Sequence, residues 1–153
     1  MLNSWFRFWW YWLIIVTSGV IIFSLSLLIA PGFMQNFFDA MFFSTIPAHT
    51  NFSNEAYTYI KFLYGLLGAV MIGWSVALFY ILWQPFRHEK IEGWFSMLTS
   101  VVAWFSIDTS FSLASGFWQN AVLNVAFFIL FMIPLAATYT AFKNKKIDSN
   151  IYE

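Results

Sequence analysis

Residues Phe117–Phe142 read FWQNAVLNVAFFILFMIPLAATYTAF, a run without a single Asp, Glu, Lys or Arg. A helix rising about 1.5 Å per residue needs about 20 residues to cross about 30 Å of hydrocarbon, and in lipid a run this long satisfies all its backbone groups only as a helix. Three further runs share the character: Phe8–Ala30 also lacks those four residue types, Tyr57–Trp83 contains only Lys61, and Gly93–Phe111 only Asp108. The expected fold class is all-α. The chain reads as a polytopic membrane protein, four transmembrane helices in a bundle, with spans at about 8–30, 57–83, 93–111 and 117–142 of one domain covering residues 1–153.

Composition agrees. The 153 residues are 61% hydrophobic, 24% aromatic and 9% charged, with a mean hydropathy of +0.70. A soluble domain carries about 25% charged residues, so too little polar surface remains here for a water-facing exterior. The absence of Cys excludes disulfides, thiolate nucleophiles, cysteine-ligated zinc and iron–sulfur clusters. The net charge is zero, so no positive field exists to attract phosphate backbones, and nucleic acid is not an expected partner.

The Lys and Arg residues set the expected orientation. With the N-terminus inside, Arg7, the Gln84–Glu92 turn with Arg87 and Lys90, and the tail with Lys143, Lys145 and Lys146 are cytoplasmic, leaving Lys61 alone outside. The positive-inside bias therefore gives both termini cytoplasmic, in a multi-pass protein of the cell (cytoplasmic or plasma) membrane. Trp5, Trp9, Trp10, Trp12, Trp83, Trp94 and Tyr139 fit an inner aromatic belt, and Tyr57, Tyr59 and Trp118 an outer one. The first run is longer than the usual ~7–15 residues of a signal core and shows no small-x-small cleavage pattern before Pro31, so it is expected to stay attached.

The longest connection, Pro31–Ala56, lies outside in this topology. Met34, Phe37, Phe38, Met41 and Phe42 recur at helical spacing, with Gln35, Asn36 and Asp39 opposite. This predicts a short interfacial helix ended by Pro47, lying flat at the headgroups or capping the bundle as a lid. Asn51-Phe52-Ser53 matches a glycosylation sequon, meaningful only in a eukaryotic secretory host. In the second span Gly65, Ala69 and Gly73 form a stripe of small residues that suits close helix packing within the chain or against a second subunit or other protein partner. Pro134 removes one backbone donor in the fourth span, which predicts a kink and a freed carbonyl near Leu130.

The chemistry-bearing residues cluster at one depth. Lys61, Asp108 and Asn120 each lie about 5 Å below the outer surface by helical rise, with Tyr64 one turn below Lys61 and Asn124 one turn below Asn120. Ser100, Trp104, Asp108 and Ser112 share one stripe, which turns Asp108 and Trp104 into the bundle. Charges inside spans mark function by default, so a Lys61–Asp108 pair is expected, with Asn120 and Asn124 orienting a polar headgroup and Trp104 and Trp74 lining an apolar slot. The plainer structural reading is that Lys61 snorkels to water, Asp108 caps the turn before Phe117, and the tryptophans are core packers. His49 and His88 fall on opposite sides in this topology, so neither a shared metal nor a bis-histidine haem is expected, and no cofactor is predicted.

The stretches Lys61-Phe-Leu-Tyr-Gly-Leu-Leu-Gly-Ala and Asp108-Thr-Ser-Phe-Ser-Leu-Ala-Ser-Gly-Phe-Trp-Gln-Asn-Ala resemble those of small four-helix bacterial membrane proteins of the DoxX-like or BphX-like kind. That resemblance implies the four-span plan and a long first external connection, and carries no particular reaction. The expected function is binding of a small amphipathic or lipid-like molecule in an outer-leaflet pocket through Lys61, Tyr64, Trp104, Asp108, Asn120 and Asn124. One carboxylate and one amine suit a structural pair as well as catalysis, so no catalytic residue is assigned. Two alternatives remain: a non-catalytic accessory subunit of a larger membrane complex, and a small proton-coupled transporter, the latter disfavoured by the shallow position of Asp108.

Overall fold

The computed structural model of the chain describes residues 3–43 and 52–151, and these are all-helical apart from short turns. The order is α1 (Ser4–Ile29), α2 (Pro31–Phe43), α3 (Asn54–Ile81) running into a π-helical turn (Leu82–Phe86), α4 (Ile91–Ala114) and α5 (Trp118–Ile151). Four helical segments are long and apolar enough to cross a membrane: Ser4–Ile29, Asn54–Phe86, Ile91–Ala114 and Trp118–Lys143. The helices overrun the expected spans because apolarity marks the stretch that suits lipid, whereas the hydrogen-bond ladder continues through polar flanks. The Arg7 amide, for example, donates to the Asn3 carbonyl at 2.9 Å, and the Asn3 side chain caps α1 at the Trp5 amide (3.2 Å). Expectations for Pro47, His49 and Asn51 fall outside the described residues.

The chain divides into two compact units, Met1–Thr17 with Ala77–Glu153, and Ser18–Val76. In the first, α4 packs on α5. Phe6, Trp10, Leu13 and Thr17 are buried along α1 in steps of four and three, and Phe131, Leu135, Thr138 and Phe142 repeat that rhythm on α5. A 3.5-residue seam of this kind keeps one stripe facing its neighbours when helices cross at a shallow angle.

Tryptophan indoles tie the first unit together. Trp12 donates to the Leu130 carbonyl at 3.0 Å, Trp94 to Leu135 at 2.8 Å, Trp10 to Leu82 at 2.8 Å and Trp5 to Ala137 at 3.4 Å. The Leu130 carbonyl is the one expected to lose its helical donor to Pro134, and an indole replaces it. Trp10 and Trp94 are 5% and 8% exposed, so each buries its ring within the protein and donates its N–H to a neighbouring backbone carbonyl. Trp5 and Trp83 remain exposed.

The connection between α3 and α4 is tighter than the expected Gln84–Glu92 turn. Pro85 supplies no N–H, and the ladder shifts by one residue, so that Arg87 donates to Leu82 (3.2 Å) and Lys90 to Pro85 (2.9 Å) across five positions. Glu89 then takes a left-handed φ of 56°. Gly93 lies so close that a Cβ there would come within 2.5 Å of the Phe86 nitrogen.

In the second unit α1 breaks at Ala30, and Pro31, which has no N–H to donate, takes the favoured first position of a new helix. α2 then runs back along α1. The Ser26 hydroxyl is 3.4 Å from the Met34 sulfur, and the Phe23 and Phe38 rings meet at 6.4 Å, seven residues before Ala30 and eight after it. Gly68 of α3 accepts the α1 backbone directly, since a Cβ there would fall 2.6 Å from the Ser24 carbonyl oxygen. Around this crossing Leu27, Met34 and Phe38 form a buried cluster, with Tyr64 and Met71 of α3 packed against it.

Candidate functional site

Polar side chains gather at two places, one in each unit. The first lies where α4 turns into α5. Gly116, at φ 83°, ends α4 with the Phe117 amide donating to Ser112 (2.9 Å) and Gly116 to Leu113 (3.1 Å), the paired bonds of a glycine-terminated helix. The reversal puts Asn120 beside Asp108: its amide nitrogen donates to Asp108 Oδ1 (3.2 Å) and to Ser112 Oγ (2.8 Å). Ser112 itself donates back to the Asp108 carbonyl at 2.7 Å. One turn on, Asn124, 4% exposed, donates from Nδ2 to Thr109 Oγ1 at 3.4 Å. Of the five residues expected at one level, Asp108 and Asn120 are hydrogen-bonded to each other here, and Asn124 bonds the neighbouring Thr109. These hydrogen bonds tie the two helices across the hairpin.

The second gathering is on α2 and α3. Lys61 lays its stem against Gly32, with Cε 3.4 Å and Nζ 3.7 Å from where a Cβ would stand, and its ammonium sits 4.0 Å from the Tyr57 ring centre. Tyr64, one turn along α3, stacks on Phe38 with 5.5 Å between ring centres and lies within electrostatic reach of Asp39. Between Gly32 and Asp39 on the same helix stands Gln35, 1% exposed, with neither Oε1 nor Nε2 hydrogen-bonded. Gln35 was expected on the water-facing side of α2 and Phe37 on its apolar side. Met34, Phe38, Met41 and Phe42 face inward as expected, but the buried arc is rotated enough to take in Gln35 and leave Phe37 47% exposed, because it is set by Met34 and Phe38 packing on α1 and α3.

Of the predicted site residues, Lys61 and Tyr64 thus belong to the second unit, and Trp104, Asp108, Asn120 and Asn124 to the first, with Trp104 half-buried on α4. On the small-residue stripe, Gly65 lies 3.9 Å from Leu28 and Gly68 takes the close backbone contact, while Ala69 and Gly73 are exposed. Taken singly, Gln35 and Asp39 carry no mark in the sequence beyond membership of the polar side of the short helix. The available signal was their spacing of four on the short helix together with Gly32, a gap into which a long side chain fits. Among the described residues no group of three or more His, Asp or Glu side chains could hold a metal ion.

Fold and composition define an all-helical, multi-pass membrane protein. No protein-family model, curated protein or solved structure matches the chain.

Proposed function

We propose that the chain is a four-helix bundle of the cell membrane, with both termini cytoplasmic, that binds a small amphipathic or lipid-like molecule at the outer-leaflet level between α2 and α3. In this reading α2 is a short helix dipping from the outer interface, and the protein stands near the DoxX-like kind in plan. Gln35, Asp39, Lys61 and Tyr64 hold the polar end, while Met34, Phe38 and Met71 line the apolar side. The observation that carries the reading is Gln35. Burying an amide with no partner costs on the order of 1–3 kcal/mol, and a ligand offering one donor and one acceptor removes that cost. A cationic amine, a phenol and a carboxylate within two helical turns suit a headgroup bearing both charge and hydroxyls. Asp108, Asn120 and Asn124 act as the tie of the α4–α5 hairpin, and no catalytic step is assigned.

Native mass spectrometry of the protein extracted from its own membrane in mild detergent tests this. A stoichiometric small-molecule adduct on the wild type, lost in Gln35→Leu and weakened in Lys61→Gln with both variants folded, is the expected result. An empty wild type, or an adduct unchanged in Gln35→Leu, refutes it. A second reading, an accessory subunit, draws on the exposed Ala69 and Gly73, where a Cβ added at Gly73 meets nothing within 4 Å. It predicts a constant protein partner recovered with an empty site.

A further inference from the structure

The first unit carries a second feature, unrelated to α2 and α3. Three phenylalanines from three parts of the chain meet in a buried knot: Phe6 and Phe86 at 5.8 Å between ring centres, Phe6 and Phe142 at 5.6 Å, Phe86 and Phe142 at 4.8 Å. Each is at most 1% exposed. Each is followed at once by a cation, namely Arg7, Arg87 and Lys143. Consecutive Cα atoms are about 3.8 Å apart, so three cationic positions flank the knot, and the turn of about 100° per residue on a helix carries them out of the buried face. Arg7 and Lys143 are exposed and Arg87 is half-buried.

Arg87 is held in a particular pose. Its guanidinium carbon lies 5.2 Å from the Trp10 ring centre and 4.9 Å from that of Trp83, and the two ring centres are 5.7 Å apart. These distances make a nearly equilateral triangle, so both indoles lie on one side of the guanidinium carbon. Trp10 is fixed in turn by its bond to Leu82. Among the described residues the guanidinium has no ion pair and no hydrogen bond. The adjacent carboxylate, Glu89, is taken by Lys145 at 3.2 Å, His88 Nδ1 donates to the Gln84 carbonyl at 2.6 Å, and Glu92 lies in the first turn of α4, where it complements that helix's own N-terminus. A planar five-donor cation pre-positioned on aromatic faces, with no acid of its own and two further cations flanking the same knot, matches a tetrahedral oxyanion that can accept two parallel N–H bonds. The exposed indole of Trp83 beside it is a side chain suited to the headgroup boundary.

We propose that Arg7, Arg87 and Lys143 form a binding site for the phosphate of an anionic phospholipid in the leaflet at this end of the helices, with Arg87 on its tryptophan pair making the oriented contact. The full chain in mild detergent, offered equal amounts of palmitoyl-oleoyl phosphatidylglycerol and phosphatidylcholine, is examined by native mass spectrometry at fixed collision energy. Each cation near an anionic headgroup contributes about a fivefold preference, so the wild type retains phosphatidylglycerol at least about tenfold over phosphatidylcholine. Arg87→Gln lowers that preference about fivefold or more, and Arg7→Gln/Lys143→Gln, which alters no buried side chain, lowers it by a similar factor or more. The double variant keeps the test sound should Arg87→Gln fail to fold. Equal retention of the two lipids by the wild type, or an unchanged preference in the double variant, overturns the proposal. Displacement of the lipid by millimolar inorganic phosphate overturns its lipid part and reassigns the same chemistry to a free phosphate.

Discussion

Replacing Trp12 by Phe and Pro134 by Ala, singly and together, tests whether the indole stands in for the backbone donor that proline removes. In the wild type the Leu130 carbonyl accepts from Trp12 Nε1 at 3.0 Å, because residue 134 has no N–H to offer. Trp12→Phe deletes that bond and leaves a carbonyl unpaired within an apolar run that reads as membrane-spanning, where water is scarce. The lost bond is worth about 0.5–1.5 kcal/mol, and the orphaned acceptor brings the total cost to about 1–3 kcal/mol. In the Pro134→Ala background the new backbone amide at that position can donate to Leu130, so the same substitution loses only the indole ring's packing, a loss common to both backgrounds that cancels in the cycle. The expected coupling is about 1 kcal/mol, inside the range of about 0.6 on average and 1.7 at most measured for interhelical bonds in a membrane protein. Unfolding in mixed micelles with a rising fraction of sodium dodecyl sulfate, followed by near-ultraviolet circular dichroism, gives the four stabilities. A Trp12→Phe cost equal in both backgrounds to within about 0.3 kcal/mol, the scatter of independent sites, refutes the reasoning.

Two further outcomes are expected in the same assay. Asn120→Leu removes the donor shared by Asp108 and Ser112 and costs about 1–2 kcal/mol, whereas Asp108→Asn, which keeps an acceptor oxygen in place, costs less than about 1 kcal/mol. Gly93→Ala forces a Cβ to within 2.5 Å of the Phe86 nitrogen and costs more than about 2 kcal/mol, while Gly73→Ala, with nothing within 4 Å, is neutral or stabilises by up to about 1 kcal/mol through helix propensity.

What could be read without coordinates is what a short piece of chain decides for itself. The absence of charge over Phe117–Phe142 is enough to call for a helix there, and Pro134 alone implies a freed carbonyl at Leu130. The donor that satisfies it sits 118 residues away, and no local pattern announces that pairing. Asp108 and Asn120 are 12 residues apart across a glycine-ended turn, so their meeting follows from helix length and loop length. Lys61 and Gly32 are far apart in sequence, and they meet because α2 doubles back at the single non-helical residue Ala30. Trp10 and Trp94 were placed at an interface because tryptophan near a span end usually lies there. Their burial adds a packing role that no local pattern announces, since each indole N–H finds a backbone acceptor in a neighbouring helix.

The comparison of Asp108 with Gln35 shows why charge within a span is an incomplete guide to function. Asp108 is ionisable and lies inside an apolar run, the stronger signal by cost of burial. Yet Asn120 and Ser112 already engage one of its carboxylate oxygens, and Ser112 its backbone carbonyl, and each hydrogen bond already made leaves less free energy to offer a ligand. Gln35 is neutral and lies on a helix that reads as amphipathic, so composition ranks it low. It is nonetheless the fully buried amide whose donors and acceptor are both unspent, and its neighbours on α2 and α3 include a cation, a phenol and a carboxylate. Binding free energy comes from satisfying what the fold leaves unsatisfied, which makes the quieter residue the better place to look for a ligand.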